Sequence, residues 1–77
     1  MNDAFFQAMA NETRREIIRL LKWRDMTAGE IASHFAISKP SISRHLDTLK
    51  NAGLVTAERK GNQIVYSMNM TVLQEMT

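Results

Sequence analysis

An α+β, mainly helical fold, a helix-turn-helix followed by a β-hairpin, is predicted by three features of this 77-residue chain. Residues 27–52 spell two short helices, each opened by a capping residue. Residues 54–68 change from a helical apolar period to a period of two. The excess positive charge is confined to the second of those helices and the hairpin.

Taken in order, Asn2 or Asp3 can cap a first short helix that places Phe5, Phe6 and Met9 on one side. Asn11 caps a second, in which Ile17, Ile18, Leu20 and Leu21 form a wide apolar stripe while Arg14, Arg15, Glu16, Arg19 and Lys22 cover the rest. Arg14 and Arg15 oppose the helix dipole at that start, so phosphate contact and a salt-bridged surface role are both open. Trp23 is expected at the core edge and the six methionines as gap fillers. Met26 could pair as a stub strand.

The third helix opens with Thr27 and Glu30 in capping-box spacing and buries Ile31, Ala32 and Phe35. Only Ala36 and Ile37 are expected between it and the fourth, which opens with Ser38 as N-cap and Pro40 in its first turn, where a missing N–H costs nothing. Ile42, Leu46 and Leu49 face the core and Gly53 marks the end. Two alternating runs separated by Lys60, Gly61 and Asn62 then form a hairpin, with Val55, Ala57, Ile64, Tyr66 and Met68 toward the core. A hairpin placed directly after such a helix is a wing, so the architecture is a winged helix-turn-helix of three to four helices. Residues 70–77 begin a C-terminal helix stub. One domain, residues 1–77, holds helix-turn-helix 27–52 and wing 54–68.

Composition bounds the function. Hydrophobic residues at 44% and charged residues at 23% describe a globular chain, and at this size burial is limited without a partner subunit. No apolar run approaches the ~18 residues of a membrane span, and no basic-then-apolar secretion leader opens the chain. With no cysteine, thiolate metal sites and disulfides are excluded, and a cytoplasmic location is expected.

Net charge is only +2, but its distribution is uneven. Residues 1–37 carry five basic and five acidic groups, whereas residues 38–63 carry Lys39, Arg44, Lys50, Arg59 and Lys60 against Asp47 and Glu58. The surplus thus lies where a duplex phosphate backbone would run. Each neutralised phosphate adds roughly 0.9 to the salt slope on B-DNA, so one copy should bind weakly and two usefully.

Within that segment Arg44 is the candidate for base contact, because its fork matches the guanine edge and it projects opposite Ile42, Leu46 and Leu49. Lys39 and Pro40 lie at the helix entry, and Ser41 and Ser43 could reach bases or phosphates or simply favour a helix start. Arg59 and Lys60 are assigned to backbone or minor groove. His45 lies beside the buried stripe and reads as a packing histidine; His34 reads as surface.

The runs Asn11-Glu-Thr-Arg-Arg-Glu-Ile-Ile-Arg-Leu-Leu21, Met26-Thr-Ala-Gly-Glu-Ile-Ala32, Ser38-Lys-Pro-Ser-Ile-Ser-Arg-His-Leu46, Ala52-Gly-Leu-Val55 and Lys60-Gly61 closely resemble the ArsR family of bacterial winged-helix repressors. The resemblance is strongest to members without metal sites. It implies a homodimer that binds an inverted-repeat operator and blocks transcription until a signal releases it. Many members sense metals through cysteines in the helix matching residues 27–35, or through ligands on the final helix. Here Thr27, Ala28 and Gly29 occupy the first region and the second offers only Glu75, so no metal and no cofactor is expected. The family's first and last helices form its dimer seam. Here that implies Phe5, Phe6 and Met9, aided by Leu73 and Met76; a longer native chain is the other reading of the short last helix.

Three function classes compete. A sequence-specific, double-stranded-DNA-binding transcriptional repressor leads. A winged-helix module that binds a protein instead is the alternative. An enzyme is excluded by the lack of a phosphate loop, an acid–base pair or a nucleophile constellation. Relief of repression is left to a sequestering protein partner or to autoregulation.

Overall fold

The computed structural model describes residues 3–69. Four helices and three strands follow in the order α1 (Asp3–Met9), α2 (Glu12–Trp23), β1 (Met26–Thr27), α3 (Ala28–Ala32), α4 (Lys39–Asn51), β2 (Val55–Lys60) and β3 (Gln63–Met68). The expected C-terminal helix over 70–77, with Leu73 and Met76, lies outside the described residues, as does Asn2.

Local signals place the boundaries. Asn11 caps α2 by accepting the Arg14 N–H at 3.0 Å. At α3 the capping box is complete: Thr27 Oγ1 accepts the Glu30 N–H at 3.1 Å, and a Glu30 carboxylate oxygen accepts the Thr27 N–H at 2.8 Å. Ser38 caps α4 with Pro40 in the first turn, and Gly53, at φ 77°, takes the left-handed position beyond its end.

The α3–α4 connection differs from the two-residue link expected. Helix α3 ends at Ala32, and the chain continues in tight turns, with the His34 N–H donating to the Ile31 carbonyl and the Phe35 N–H to that of Ala32. This i→i+3 pattern uses up the end of a helix too short to sustain α geometry and tucks the half-buried Phe35 against the core.

Strand β3 is central: β1 pairs with it through Met26↔Tyr66 and Thr27↔Val65, and β2 pairs with it from Val55↔Met68 to Lys60↔Gln63, all antiparallel. The two-residue Gly61–Asn62 turn has positive φ only at Gly61, the type II′ pattern that matches strand twist. Five residues separate tip from base, so the wing tip stands about 17 Å from the core end of the hairpin.

Ile17, Ile31, Ile42, Leu46 and Leu49 are fully buried at the centre, with Ile18, Leu21, Met26, Leu54, Val55 and Met68 around them. No polar side chain is buried among the described residues. Nor is any helix among them long and apolar enough to cross a membrane.

Four expectations change. Phe5 and Met9 turn inward, one helical turn apart, but Phe6 is rotated away from them and is 53% exposed, its ring edge-on to Phe5 at 5.5 Å. Trp23 is 88% exposed because it lies two residues, about 200°, beyond the buried Leu21 on α2. Ile64 shares a strand face with Tyr66 and Met68, yet it sits one pair from the turn, past the buried layer, and is exposed. Arg14 and Arg15 make no salt bridge among the described residues. Arg14 donates from Nε to the Ala8 carbonyl and from Nη2 to that of Gln7, both at 2.8 Å; Arg15 Nη1 donates to Met9 at 2.8 Å. All three carbonyls belong to the last turn of α1, which has no glycine to close it; that of Gln7 also accepts the Ala10 N–H at 3.3 Å.

Candidate nucleic-acid interface

Because Ile42, Leu46 and Leu49 are pinned in the core, the opposite side of α4 must face out, and Lys39, Pro40 and Arg44 are exposed there. Ser41 and Ser43 are half-buried. The Ser38 hydroxyl accepts the Ser41 N–H at 3.3 Å and donates to Ser41 Oγ at 3.0 Å, so one lone pair of each hydroxyl is committed to the helix entry. The Lys39 ammonium reaches across to α3, 3.9 Å from where a Cβ on Gly29 would lie.

Arg59 and Lys60 are exposed on the wing next to its turn. Lys60 Nζ lies 3.6 Å from a Glu58 carboxylate oxygen, an exposed pair of little energetic consequence. Among the described residues no hydrogen bond or ion pair occupies the side chains of Lys39, Arg44 or Arg59. Three cations are thus held on one helix and one hairpin with their charge uncommitted.

Two exposed apolar side chains flank this basic set and escaped the sequence reading: Ile37, just before the α4 cap, and Ile64, across the strand pair from Arg59. A lone isoleucine in a turn carries no periodic signal, and alternation alone assigned Ile64 to the core. Thr48, one turn beyond Arg44, also lies on this side and donates its hydroxyl to the Arg44 carbonyl at 3.1 Å.

His45 is turned from this face toward α2, where Nδ1 lies 3.2 Å from Arg14 Nη1. Burial, then the charges of Arg14 and Arg44, push its pKa below the usual 6.5. His34 is exposed on the turn after α3. The two histidines therefore serve separate surroundings, and no group of three or more His, Cys, Asp or Glu converges among the described residues.

Of the described residues expected at a dimer seam, Phe5 and Met9 pack partly against the chain's own core, and Phe6 is openly presented.

Comparison with known proteins gives consistent likenesses. A family model described as "Bacterial regulatory protein, arsR family" matches residues 11–57. The chain is 57% identical over 75 residues to the transcriptional repressor SdpR of Bacillus subtilis, covering 97% of this chain and 82% of SdpR. It is 38% identical to the HTH-type transcriptional regulator Rv2034 of Mycobacterium tuberculosis, covering 92% of this chain but 66% of that protein, just under two thirds of its length. Its fold superposes with TM-score 0.81 and 26% identity on the homodimeric winged helix-turn-helix DNA-binding domain Mb0332 of Mycobacterium bovis, covering 95% of this chain and 74% of that one.

Proposed function

The chain belongs to the arsR family of bacterial regulatory proteins, and from that premise we propose that it represses transcription by binding an inverted-repeat operator as a homodimer. It is a regulatory protein and not an enzyme. Helix α4 lies in the major groove with Arg44 toward base edges, Lys39, Pro40, Ser41 and Ser43 at the groove entry, and Arg59 and Lys60 of the wing on the adjacent backbone or minor groove. The observation that carries this reading is the outward face of α4, whose Lys39 and Arg44 charges are unspent while its other face is locked into the core. Exposed Phe6, with Phe5 behind it, is the proposed centre of the dimer seam.

Release from the operator is assigned to something other than a metal, since the chain has no cysteine and no three His, Asp or Glu side chains converge among the described residues. A protein partner that sequesters the free repressor, or control of its own abundance, fits that chemistry.

Selection of duplex DNA from a random library by the purified protein, followed by salt titration of the winning site, tests the proposal. An inverted repeat with half-sites about one helical turn apart, and a salt slope reporting several phosphates, is expected. No enriched sequence would overturn it in favour of a module that binds protein.

A further inference from the structure

One side chain joins three helices. Arg14, in the first turn of α2, holds the Gln7 and Ala8 carbonyls of α1, and its remaining arm meets His45 on α4 at 3.2 Å. A guanidinium only donates, so Nδ1 of His45 must accept, which places the ring proton on Nε2 and makes the imidazole neutral. His45 lies between Arg44, which faces outward, and Leu46, which is fully buried, so a force on the ring acts at the middle of the recognition helix.

We infer that Arg14 and His45 are positioning residues for operator binding: the pair ties the α1 end to the recognition helix, and protonation of His45 unties it. This rests on the DNA-binding reading above. Protonated, Nδ1 loses the lone pair that Arg14 needs and a second cation appears at hydrogen-bond distance from the guanidinium. The charged groups acting on the ring are Arg14 from α2 and Arg44 from its own helix. On the α1 side Arg14 itself holds the uncharged turn of Gln7 and Ala8, and no group of α1, α3 or β2, which also pack on α4, acts on the charge of the ring. Among the described residues no carboxylate is therefore at hand to hold the protonated ring in place. The α1 turn that Arg14 secures is the one that follows the exposed Phe6, so the same contact links the proposed dimer surface to the DNA surface.

The test follows the free protein first. Imidazole nitrogen shifts of His45 and amide shifts of Gln7, Ala8 and Met9 are recorded from about pH 8 to about pH 5.5. The α1 amides are expected to move with the midpoint of the ring, and in Arg14→Lys, which keeps the charge but loses the fork, they are expected not to. Operator affinity of the wild type, measured on the selected duplex over the same range, is expected to weaken about tenfold, the loss of one charge-assisted hydrogen bond. In His45→Asn, whose Oδ1 stands in for Nδ1 and does not titrate, that pH response is expected to vanish. Circular dichroism melts establish that both variants are folded. Three results would overturn the inference: α1 amides that ignore the ring, affinity that rises as pH falls, which would make the ring a phosphate contact, or His45→Asn tracking the wild type. A wild type that binds no duplex at any pH defeats the DNA reading instead; the free-protein titration then decides the tether by itself.

Discussion

Leu54 donates its backbone N–H to the carbonyl of Leu49 at 3.0 Å while both side chains are buried, so the last turn of the recognition helix and the root of the wing form one unit. The Gly53 N–H donates to Lys50 at 3.0 Å, which completes a Schellman motif around a left-handed glycine. Asn69 fastens the far strand to the same corner, its N–H to the Leu54 carbonyl at 3.1 Å and its Nδ2 to that of Gly53 at 2.8 Å. The angle between α4 and the hairpin is thereby set by backbone geometry.

Gly53→Ala is expected to destabilise the fold by about 1–2 kcal/mol through backbone strain, because space for a Cβ is open there and only the positive φ resists it. Gly53→Asn, which tolerates that region, should cost less. Chemical denaturation of the three proteins gives the comparison.

Thr27→Ala removes the acceptor for the Glu30 N–H and is expected to cost about 1 kcal/mol. The hydrogen bond from the Thr27 backbone holds the Glu30 carboxyl below its ordinary pKa of 4.5, with Arg24 adding to the effect. A lowered carboxylate adds stability above its unfolded value and loses it as pH falls through the native one. Glu30→Gln should therefore flatten the acid limb of the stability curve, read by thermal melts below neutrality.

Arg44→Ala is expected to cost roughly 1–3 kcal/mol on the selected operator and to flatten base preference at one position of each half-site. Lys39→Ala should instead weaken all sequences alike and reduce the salt slope by about 0.9 per subunit bound. Competition binding at two or more salt concentrations separates the two behaviours.

Phe6→Ser is expected to shift a sedimenting dimer to monomer with little change in denaturant midpoint at low concentration, since the ring is more than half exposed within the subunit. Phe5→Ser, which removes a ring packed on the core, should lower the midpoint as well.

His45 titrates below 6.5 in the folded chain. The native state therefore binds fewer protons than the unfolded one. Its contribution to stability is complete above 6.5 and is lost as pH falls from there through the lower native value. Melts of His45→Asn against wild type between neutral and mildly acidic pH should show the slope only in the wild type.

The sequence by itself determined what short-range hydrogen bonds and sterics control. Asn11, Thr27 with Glu30, Ser38 with Pro40, and Gly53 each act within three or four residues, and each marks the boundary it was read to mark. Periodicity likewise settled which sides of α2 and α4 are buried, because burial must recur with the pitch. Tertiary structure alone decided where elements stop overlapping. Ile64 alternates correctly but lies beyond the buried layer, and Trp23 follows a buried stripe yet points away from it. It also decided the partners of Arg14, whose acceptors lie six, seven and thirty-one residues away. A flexible cation has no period, and its partner is whichever carbonyl or ring nitrogen with a lone pair to spare the packed helices bring within its reach.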